Sequence, residues 1–280
     1  MDLDFKEVER IISGALAEDI GTGDATANLL VPENATATLV FVTREPIIMC
    51  GGEIVKQVFL HVNKAITCKL LVKDGAKAAK GEKLIEVSGP ARAILTGERT
   101  ALNLLQRMCA VSTLSARYVE AVKGTPAIIL DTRKTMPGLR VLDKFAVKTG
   151  GAQNHRMRLD DGILIKDNHI ALCGGVRQVL AKAFAGNAKK LPVEIECDTL
   201  EQVKEALVSG AQLILLDNMN YDQMREAVGL AKGIAKLEAS GGVSLETVRA
   251  IAETGVDYIS VGRLTHSAPN VDIGLDVVIT

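Results

Sequence analysis

The pattern of apolar and polar positions differs between the two halves of the chain. Between residues 35 and 88, three short apolar runs are separated by turn signals such as Asp74-Gly75 and Lys80-Gly81. These runs are ATLVFV, ITCKLLV and KLIEV. Short runs bounded by such turns are typical of antiparallel strands. The first half is therefore predicted to be a small domain of mixed α/β class built on an antiparallel sheet.

Two segments of this half have helical periodicity. Apolar residues recur at helical spacing over residues 5–17, and a longer helix is predicted over residues 98–123. Arg99, Asn103 and Gln106 lie together on the face opposite the apolar face of the long helix. Spacing alone favours a solvated surface for this polar stripe.

After residue 123 the pattern becomes repetitive, because short apolar runs recur and several are followed by helical stretches such as LEQVKEALVSG. The runs are AIIL (127–130), GILI (162–165), VEIE (193–196), LILL (213–216), AKLEA (235–239) and YISV (258–261). Alternating strands and helices predict a parallel sheet with right-handed crossovers. Six such units suit a closed or nearly closed (β/α) barrel better than a doubly wound sheet.

Two domains are predicted from this change of pattern. Residues 1–110 form the first domain, and residues 111–267 form the barrel, which is the catalytic domain. The final segment, about 268–280, has the sequence of a terminal strand that returns to the first domain. No GxGxxG motif follows a strand, which argues against dinucleotide binding.

Composition and charge restrict the partners. The chain has 280 residues, is 48% hydrophobic and 24% charged, and carries a formal net charge of -1. Such a balance argues against nucleic acid or a membrane surface as a bulk electrostatic partner, so an anion site must be a local cluster. Five cysteines without a CxxC pair, together with a charged amino terminus, favour reduced thiols and a cytoplasmic location.

The segments at the carboxyl ends of the predicted strands are unusually polar. They are Asp131-Thr132-Arg133-Lys134, Lys166-Asp167-Asn168-His169, the segment with Glu194 and Glu196, Asp217-Asn218, Ser240-Gly241-Gly242, and residues 262–267. Barrel enzymes build their active sites at this end of the strands. Polar segments at six strand ends in register are difficult to explain by solvation alone, so an active site is predicted there.

The early strand ends are cationic. Residues 131–169 contain eight Lys or Arg against five Asp. Arg pairs bidentately with carboxylate or phosphate, and Lys supplies a point charge. The cations expected to hold a substrate with several negative groups are Arg133, Lys134, Arg156 and Lys166. Arg158 and Arg140 are instead expected to form structural bridges with nearby Asp residues.

The middle strand ends are anionic and the late ones are rich in glycine. Glu196 and Asp217 could bind Mg²⁺, hold ribose hydroxyls, or stabilise positive charge on a sugar carbon. Glu194 shares a strand face with Glu196, so both should point into the barrel, where a buried pair of carboxylates needs cations nearby. The segment Ser240-Gly241-Gly242, with Gly262, lets backbone N–H groups approach a phosphate closely.

In combination, eight motifs along essentially the whole chain resemble the quinolinate phosphoribosyltransferase family. They are EDIGTGDAT (18–26), GERTALNLLQ (97–106), DTRKTMPGLR (131–140), GGAQNHRMRLDDGILIKDNHI (150–170), EIEC (194–197), LLDNM (215–219), EASGGVS (238–244) and ISVGRLTHSAP (259–269). The resemblance implies an N-terminal α/β sandwich domain with an antiparallel sheet, followed by an incomplete TIM-like (β/α) barrel.

The resemblance also implies a pentosyltransferase reaction with Mg²⁺. Quinolinate and phosphoribosyl pyrophosphate would give nicotinate mononucleotide, pyrophosphate and CO2, a step in NAD synthesis. The implied catalytic residues are Lys134, Glu196 and Asp217, of which Glu196 and Asp217 would also serve the metal. The implied substrate-binding residues are Arg99, Thr132, Arg133, His155, Arg156, Lys166, Ser240, Gly241, Gly242, Gly262, Arg263 and His266. In a homodimer, Arg99 would reach the barrel of the neighbouring subunit.

Two small departures and two rival functions accompany this interpretation. Ala152 stands where the family often has a third glycine, and Arg263 follows Gly262 where a small residue is common. One rival is a Schiff-base aldolase with Lys166 as nucleophile, which leaves Glu196, Asp217 and both anion clusters without a role. The other is a molybdate-transport accessory protein of the same fold, against which Arg99, His155-Arg156 and the LTHS segment argue.

Overall fold

The computed structural model describes residues 3–277 of the chain. These residues form two compact units. Among the described residues, the first unit comprises residues 3–116, 135–151 and 265–277, and the second comprises residues 117–134 and 152–264. The chain therefore leaves the second unit after Lys134 and returns to it at Ala152.

The first unit contains a four-stranded antiparallel sheet. Its strands are β1 (Thr36–Thr43), β3 (Thr67–Leu70), β5 (Lys83–Pro90) and β12 (Ile273–Val277), in the order β12-β1-β5-β3. The three predicted strands of this half are confirmed. Strand β12 pairs with β1 from Ile273 to Val277, and residues 278–280 of the predicted terminal strand lie outside the described residues. A separate pair is formed by β2 (Ile47–Ile48) and β4 (Lys77–Ala78).

Helices complete the first unit. They are α1 (Phe5–Ile20), α2 (Ala25–Leu30), α3 (Gly52–Val62), most of α4 (Ala91–Ala121), and α5 (Arg140–Thr149). Asp4 caps α1 by accepting hydrogen bonds from the backbone N–H groups of Lys6 and Glu7. The apolar face of α1 is buried, as its spacing predicted, and the helix packs against α3 and α5.

The long helix α4 begins at Ala91, seven residues before the predicted start at Glu98. Gly97 lies inside this helix, although glycine weakens a helix interior. Its role here is close packing. A Cβ at Gly97 would lie 3.2 Å from ring atoms of Phe59 on α3 and 3.3 Å from Val62. The missing side chain lets two helices approach, so the helix continues through this residue.

Residues 135–151 group with the first unit because α5 is attached there by a buried ion pair. Arg107 on α4 donates to both carboxylate oxygens of Asp143, with Nε–Oδ1 2.9 Å and Nη2–Oδ2 3.0 Å. Asp143 is 1% exposed. A bidentate geometry of this kind satisfies the carboxylate and compensates much of its desolvation.

The second unit contains a six-stranded parallel sheet. Its strands are β6 (Ile128–Leu130), β7 (Ile163–Ile165), β8 (Val193–Cys197), β9 (Leu213–Asp217), β10 (Lys236–Ser240) and β11 (Tyr258–Ser260). Each of the six predicted strands is present. The order is β6-β11-β10-β9-β8-β7, so β6 and β7 are the edges among the described residues. The sheet is thus an incomplete (β/α) barrel, as the fold prediction stated.

Helices connect these strands. They are α6 (Asp167–Cys173), α7 (Val176–Gly186), α8 (Leu200–Val208), α9 (Tyr221–Ala231) and α10 (Val248–Ala252), and α11 (Arg263–His266) follows β11. Helices α8 and α9 each begin with a capping box, in which Thr199 and Asn220 are the respective N-cap residues. Within residues 3–277 no helix is long and apolar enough to cross a membrane.

Candidate active site

A cleft of about 610 Å³ opens at the carboxyl ends of the parallel strands. Its lining residues all belong to the second unit: Thr132, Arg133, Lys134, His155, Arg156, Leu164, Lys166, Glu196, Leu215, Asp217, Asn218, Glu238, Ser240, Gly241, Gly242 and Ser260. Most of the predicted site residues are therefore in one cavity. Four others, Arg99, Gly262, Arg263 and His266, do not line it.

The cationic side of the cleft is dominated by Arg133 and Arg156. The Nη1 group of Arg156 donates to the backbone oxygen of Gly162 at 2.8 Å, which fixes the guanidinium in place. Burial lowers the pKa of Arg156, and the nearby charge of Arg133 lowers it further. Two guanidinium groups that repel each other at a partly buried site are a binding arrangement for an anion with more than one negative group.

Asp131, at the end of β6, positions the segment that carries His155 and Arg156. Its carboxylate is fully buried and accepts from the Asn154 side chain at 2.7 Å and from the His155 backbone N–H at 2.9 Å. Gln153, which precedes Asn154, forms a parallel β-bridge with Leu130. The strand end therefore supplies both a cleft cation, Arg133, and the anchor of the second cationic segment.

The ring nitrogens of His155 both face the protein. Nδ1 accepts the backbone N–H of Arg156 at 2.8 Å, so the ring proton is on Nε2. Nε2 donates to Oε2 of Glu194 at 2.9 Å. These two hydrogen bonds leave the ring neutral and hold it in place beside Arg156. The substrate-binding role that the resemblance implies for His155 stays a prediction.

Lys166 and Glu196 form an ion pair within the cleft, between Nζ and Oε2. Glu196 is buried at the end of β8, whereas the Lys166 side chain is about half exposed. A Schiff-base nucleophile must be able to reach a carbonyl carbon, whereas Nζ of Lys166 contacts the Glu196 carboxylate. This contact therefore argues against the aldolase alternative. It also supplies the cation that a buried carboxylate at Glu196 needs.

The turn after β9 places Asp217 beside the glycine segment. Asn218 has a left-handed backbone, with φ 54°, and its side chain donates to Oδ2 of Asp217 at 2.7 Å. Its backbone N–H donates to the oxygen of Ser240 at 3.0 Å, which joins this turn to the end of β10. Gly241 lies so close that a Cβ there would be 2.1 Å from Oδ1 of Asn218.

Gly241→Ala should disturb this turn measurably. The added methyl group would overlap Asn218, and a φ of 94° is unfavourable for alanine. We expect the free energy of unfolding to fall by about 1–3 kcal/mol, as for other overpacked sites, when measured by urea denaturation. Gly229→Ala is the matched control, since that glycine lies in α9 with open space around it. An equal stability change in the two variants would contradict the close-approach argument.

Glu238 was missed as a site residue by sequence reasoning. It lies on β10, is 1% exposed, and lines the cleft. The signal was present, because KLEAS alternates apolar and polar residues in the same way as VEIEC. This alternation places Glu238 and Ser240 on one strand face, as it does Glu194 and Glu196. Ser260 and Asn218 also line the cleft and were not assigned a role.

The remaining predicted residues lie elsewhere. Arg99 is exposed on α4 in the first unit, and His266 is exposed in the first unit as well. Arg263 follows β11, and its charge adds to the hydrogen bond from Ser244 that lowers the pKa of Glu246. Arg158 pairs with Asp160, Nε–Oδ1 3.1 Å, which confirms the structural role expected for it. The roles assigned to Arg99, Gly262, Arg263 and His266 stay predictions.

Two family models match the chain, one in each half. The model of the quinolinate phosphoribosyl transferase N-terminal domain matches residues 24–109, and that of the C-terminal domain matches residues 111–276. Together these ranges include every residue of the cleft. The matches cover well over half of the chain.

Curated relatives and solved structures agree over nearly the full length. A carboxylating nicotinate-nucleotide pyrophosphorylase of Mycobacterium leprae is 43% identical over an alignment of 282 positions that covers 99% of each chain. The chloroplastic enzyme of the same name from Arabidopsis thaliana is 40% identical over 97% of this chain and 83% of its own. The nicotinate-nucleotide pyrophosphorylase structure from Ehrlichia chaffeensis has a TM-score of 0.92 at 40% identity, covering 99% of this chain and 100% of that chain.

Proposed function

Because the chain belongs to the quinolinate phosphoribosyltransferase family, we propose that it transfers phosphoribose from phosphoribosyl pyrophosphate to quinolinate. The products are nicotinate mononucleotide, pyrophosphate and CO2, which is a step in NAD synthesis. The observation that carries the proposal is that one cleft contains both two arginines, Arg133 and Arg156, and two carboxylates, Glu196 and Asp217. The arginines suit a dicarboxylic acid, and the carboxylates suit a sugar cation and a metal.

Each group of side chains has a task in binding. Arg133 and Arg156 hold the two carboxylates of quinolinate, while His155 fixes the segment that carries Arg156. The backbone of Ser240, Gly241 and Gly242 receives the 5′-phosphate of the sugar. Two successive glycines with positive φ, 94° and 60°, turn the chain so that N–H groups can approach an anion. Lys134 and Lys166 add the point charges that pyrophosphate requires.

The donor set of the cleft fits Mg²⁺. Glu196 and Asp217 lie on the adjacent strands β8 and β9, and both line the cleft. Mg²⁺ is commonly bound by one or two carboxylates together with substrate phosphates and water, so no larger cluster of protein ligands is needed. Glu196 and Asp217 would hold the ion, which supplies positive charge beside the pyrophosphate.

The reaction follows from this distribution of charge. Pyrophosphate leaves the sugar toward Lys134, and Glu196 and Asp217 stabilise the positive charge that develops on the sugar carbon. The pyridine nitrogen, oriented by the two arginines, attacks that carbon and becomes positive. A positive ring nitrogen then stabilises the electron pair that remains on the neighbouring carbon when CO2 leaves. No covalent bond to the protein is required.

An assay of the purified protein tests the proposal. Quinolinate, phosphoribosyl pyrophosphate and Mg²⁺ should yield nicotinate mononucleotide, pyrophosphate and CO2 in equal amounts, measured by liquid chromatography and release of labelled CO2. Omission of either substrate should abolish all three products. The accessory-protein alternative predicts no product and binding of molybdate instead. The relatives named above, which are pyrophosphorylases, support the enzyme over that alternative. A cytoplasmic location stays a prediction.

A homodimer with shared active sites is the further part of the proposal. The cleft of one chain is lined by residues of its second unit, whereas Arg99 is exposed on α4 of the first. Arg99 is exposed, whereas the next two residues of the helix, Thr100 and Ala101, are buried. The Arg99 guanidinium is therefore available to a second subunit. An isologous dimer then contains two sites, each completed by Arg99 from the partner.

Mixing two inactive variants tests this arrangement. Arg99→Ala and Lys134→Ala homodimers should each be nearly inactive, because every site lacks one cation. Subunit exchange at equal amounts gives about half mixed dimers, each with one intact site, so about a quarter of wild-type activity should return. Native mass spectrometry verifies the exchange. If Arg99 serves its own chain, every site keeps one defect and no activity returns.

A further inference from the structure

A buried group of three titratable side chains lies below the cleft. Oxygens of Glu194 and Glu238 and the Nε2 atom of His155 are all within 4.8 Å of one another. Nε2 is 2.9 Å from Oε2 of Glu194 and 3.5 Å from Oε2 of Glu238. Glu194 is 3% exposed and Glu238 is 1% exposed. The mechanism above uses His155 as a positioning group and assigns nothing to the two acids.

This group separates two cavities of the barrel. A second cavity of about 390 Å³ lies at the amino ends of the strands, where Ile163, Leu213, Lys236 and Tyr258 line it. Glu238 lines both this lower cavity and the active-site cleft. The lower cavity has room for several water molecules, each of which occupies about 30 Å³ in the liquid. Glu238 therefore borders the active-site cleft on one side and the lower cavity on the other.

The ring tautomer of His155 argues against a metal ion here. Nδ1 accepts a backbone N–H, so Nε2 carries the proton and has no lone pair for a metal. One N–H group then faces two carboxylates, and it donates to the nearer one, at Oε2 of Glu194. Oε1 of Glu194 and Oε1 of Glu238 are buried without a hydrogen-bond partner among the described residues. Two ionised acids in these surroundings would be strongly destabilised.

A single proton on Glu238 removes that difficulty. The groups that face this side chain are Glu194 from β8, His155 from the segment before β7 and the Ser260 hydroxyl from β11. Burial raises the pKa of Glu238 to about 8, and the charge of Glu194 acts in the same direction. At neutral pH Glu238 is then a carboxylic acid that lines the active-site cleft.

We propose that Glu238 is the general acid that protonates the pyridine carbon from which CO2 departs. The inference rests on the proposed function, since that reaction requires such a proton. The bond between the ring carbon and its carboxylate breaks, CO2 leaves, and the electron pair stays on the carbon. The Glu238 O–H proton moves to this carbon. The resulting Glu238 carboxylate regains a proton from water in the lower cavity, so one solvent proton is consumed per turnover.

Glu238→Gln separates this step from the sugar transfer. The amide keeps the shape of the side chain but cannot deliver an acidic proton. In single-turnover rapid-quench experiments, the rate of pyrophosphate release should change by less than about tenfold. The rate of nicotinate mononucleotide formation should fall by about 10²-fold or more, the usual contribution of a general acid. The carboxylated nucleotide should accumulate and be detected by mass spectrometry. Glu226→Gln, on the exposed face of α9, is the matched control for the same chemical change.

The wild-type enzyme provides a second measurement that does not depend on folding of the variant. The protonated form of Glu238 is the active one, so nicotinate mononucleotide formation should decline as pH rises through about 8. Pyrophosphate release in the same single turnovers should not decline with it. Equal rates of the two products in Glu238→Gln, or a joint decline of both with pH, would overturn the proposal. A wild-type protein that releases no pyrophosphate would instead contradict the proposed function.

Discussion

Nicotinate is expected to be a substrate at least about 10³-fold poorer than quinolinate in kcat/KM, because it lacks one of the two carboxylates. Partial burial of Arg156 and the nearby charge of Arg133 both favour a ligand that carries two carboxylates over one that carries a single carboxylate. A site built for charged partners discriminates strongly against an analogue that leaves one unpaired. The measurement is the rate of pyrophosphate release with each acid at several concentrations.

Arg156→Met provides the control for that selectivity. The variant should lose much of its activity toward quinolinate and little toward nicotinate, so the ratio between the two acids should narrow. The change should appear mainly in KM if Arg156 contributes equally to the ground state and the transition state. Comparable use of the two acids by the unmodified protein would contradict the assignment of the arginines.

Glu196→Gln is expected to lower kcat by about 10²- to 10³-fold with the fold intact. The substitution keeps the volume of the side chain and removes the charge proposed to face the metal and the sugar cation. It also leaves the Lys166 ammonium without its carboxylate partner. Steady-state kinetics with saturating substrates gives kcat, and thermal unfolding monitors the fold.

The same data separate a catalytic from a structural role. An ion pair that only supports the fold would, on loss of Glu196, give a lower melting temperature and a nearly normal kcat. Glu226→Gln again provides the comparison, because Glu226 pairs with Lys204 at an exposed position where little stability is expected from the pair.

The parallel sheet could be predicted because its signal is local. Each strand of the second unit is a short apolar run, and the polar residues that follow it fall at one end of the sheet for topological reasons. The prediction that the Thr132–Lys134 segment, Lys166, Glu196 and Asp217 share a cleft needed only strand order and direction. The alternation of strands and helices along the chain provides the order and the direction of the strands.

Long-range packing could not be predicted in the same way. Gly97, inside α4, packs closely against Phe59, which is distant in sequence. The tautomer of His155 depends on a backbone N–H and a carboxylate from β8. Glu238 was missed although its strand has the same alternation as β8, since the sequence of one strand does not reveal which side chains of other strands surround an acid.

The ion pair between Arg107 and Asp143 has a consequence for dividing the protein into fragments. The two family ranges meet near residue 110, which suggests that the barrel could be expressed alone from residue 111. Such a fragment would contain Asp143 without Arg107, and would leave a carboxylate that is 1% exposed in the intact chain without its guanidinium. Loss of one partner of a buried pair costs about 3–5 kcal/mol. The boundary between the two family ranges is therefore unsuitable as the start of a fragment. Fragments designed to be soluble should retain the whole of α4.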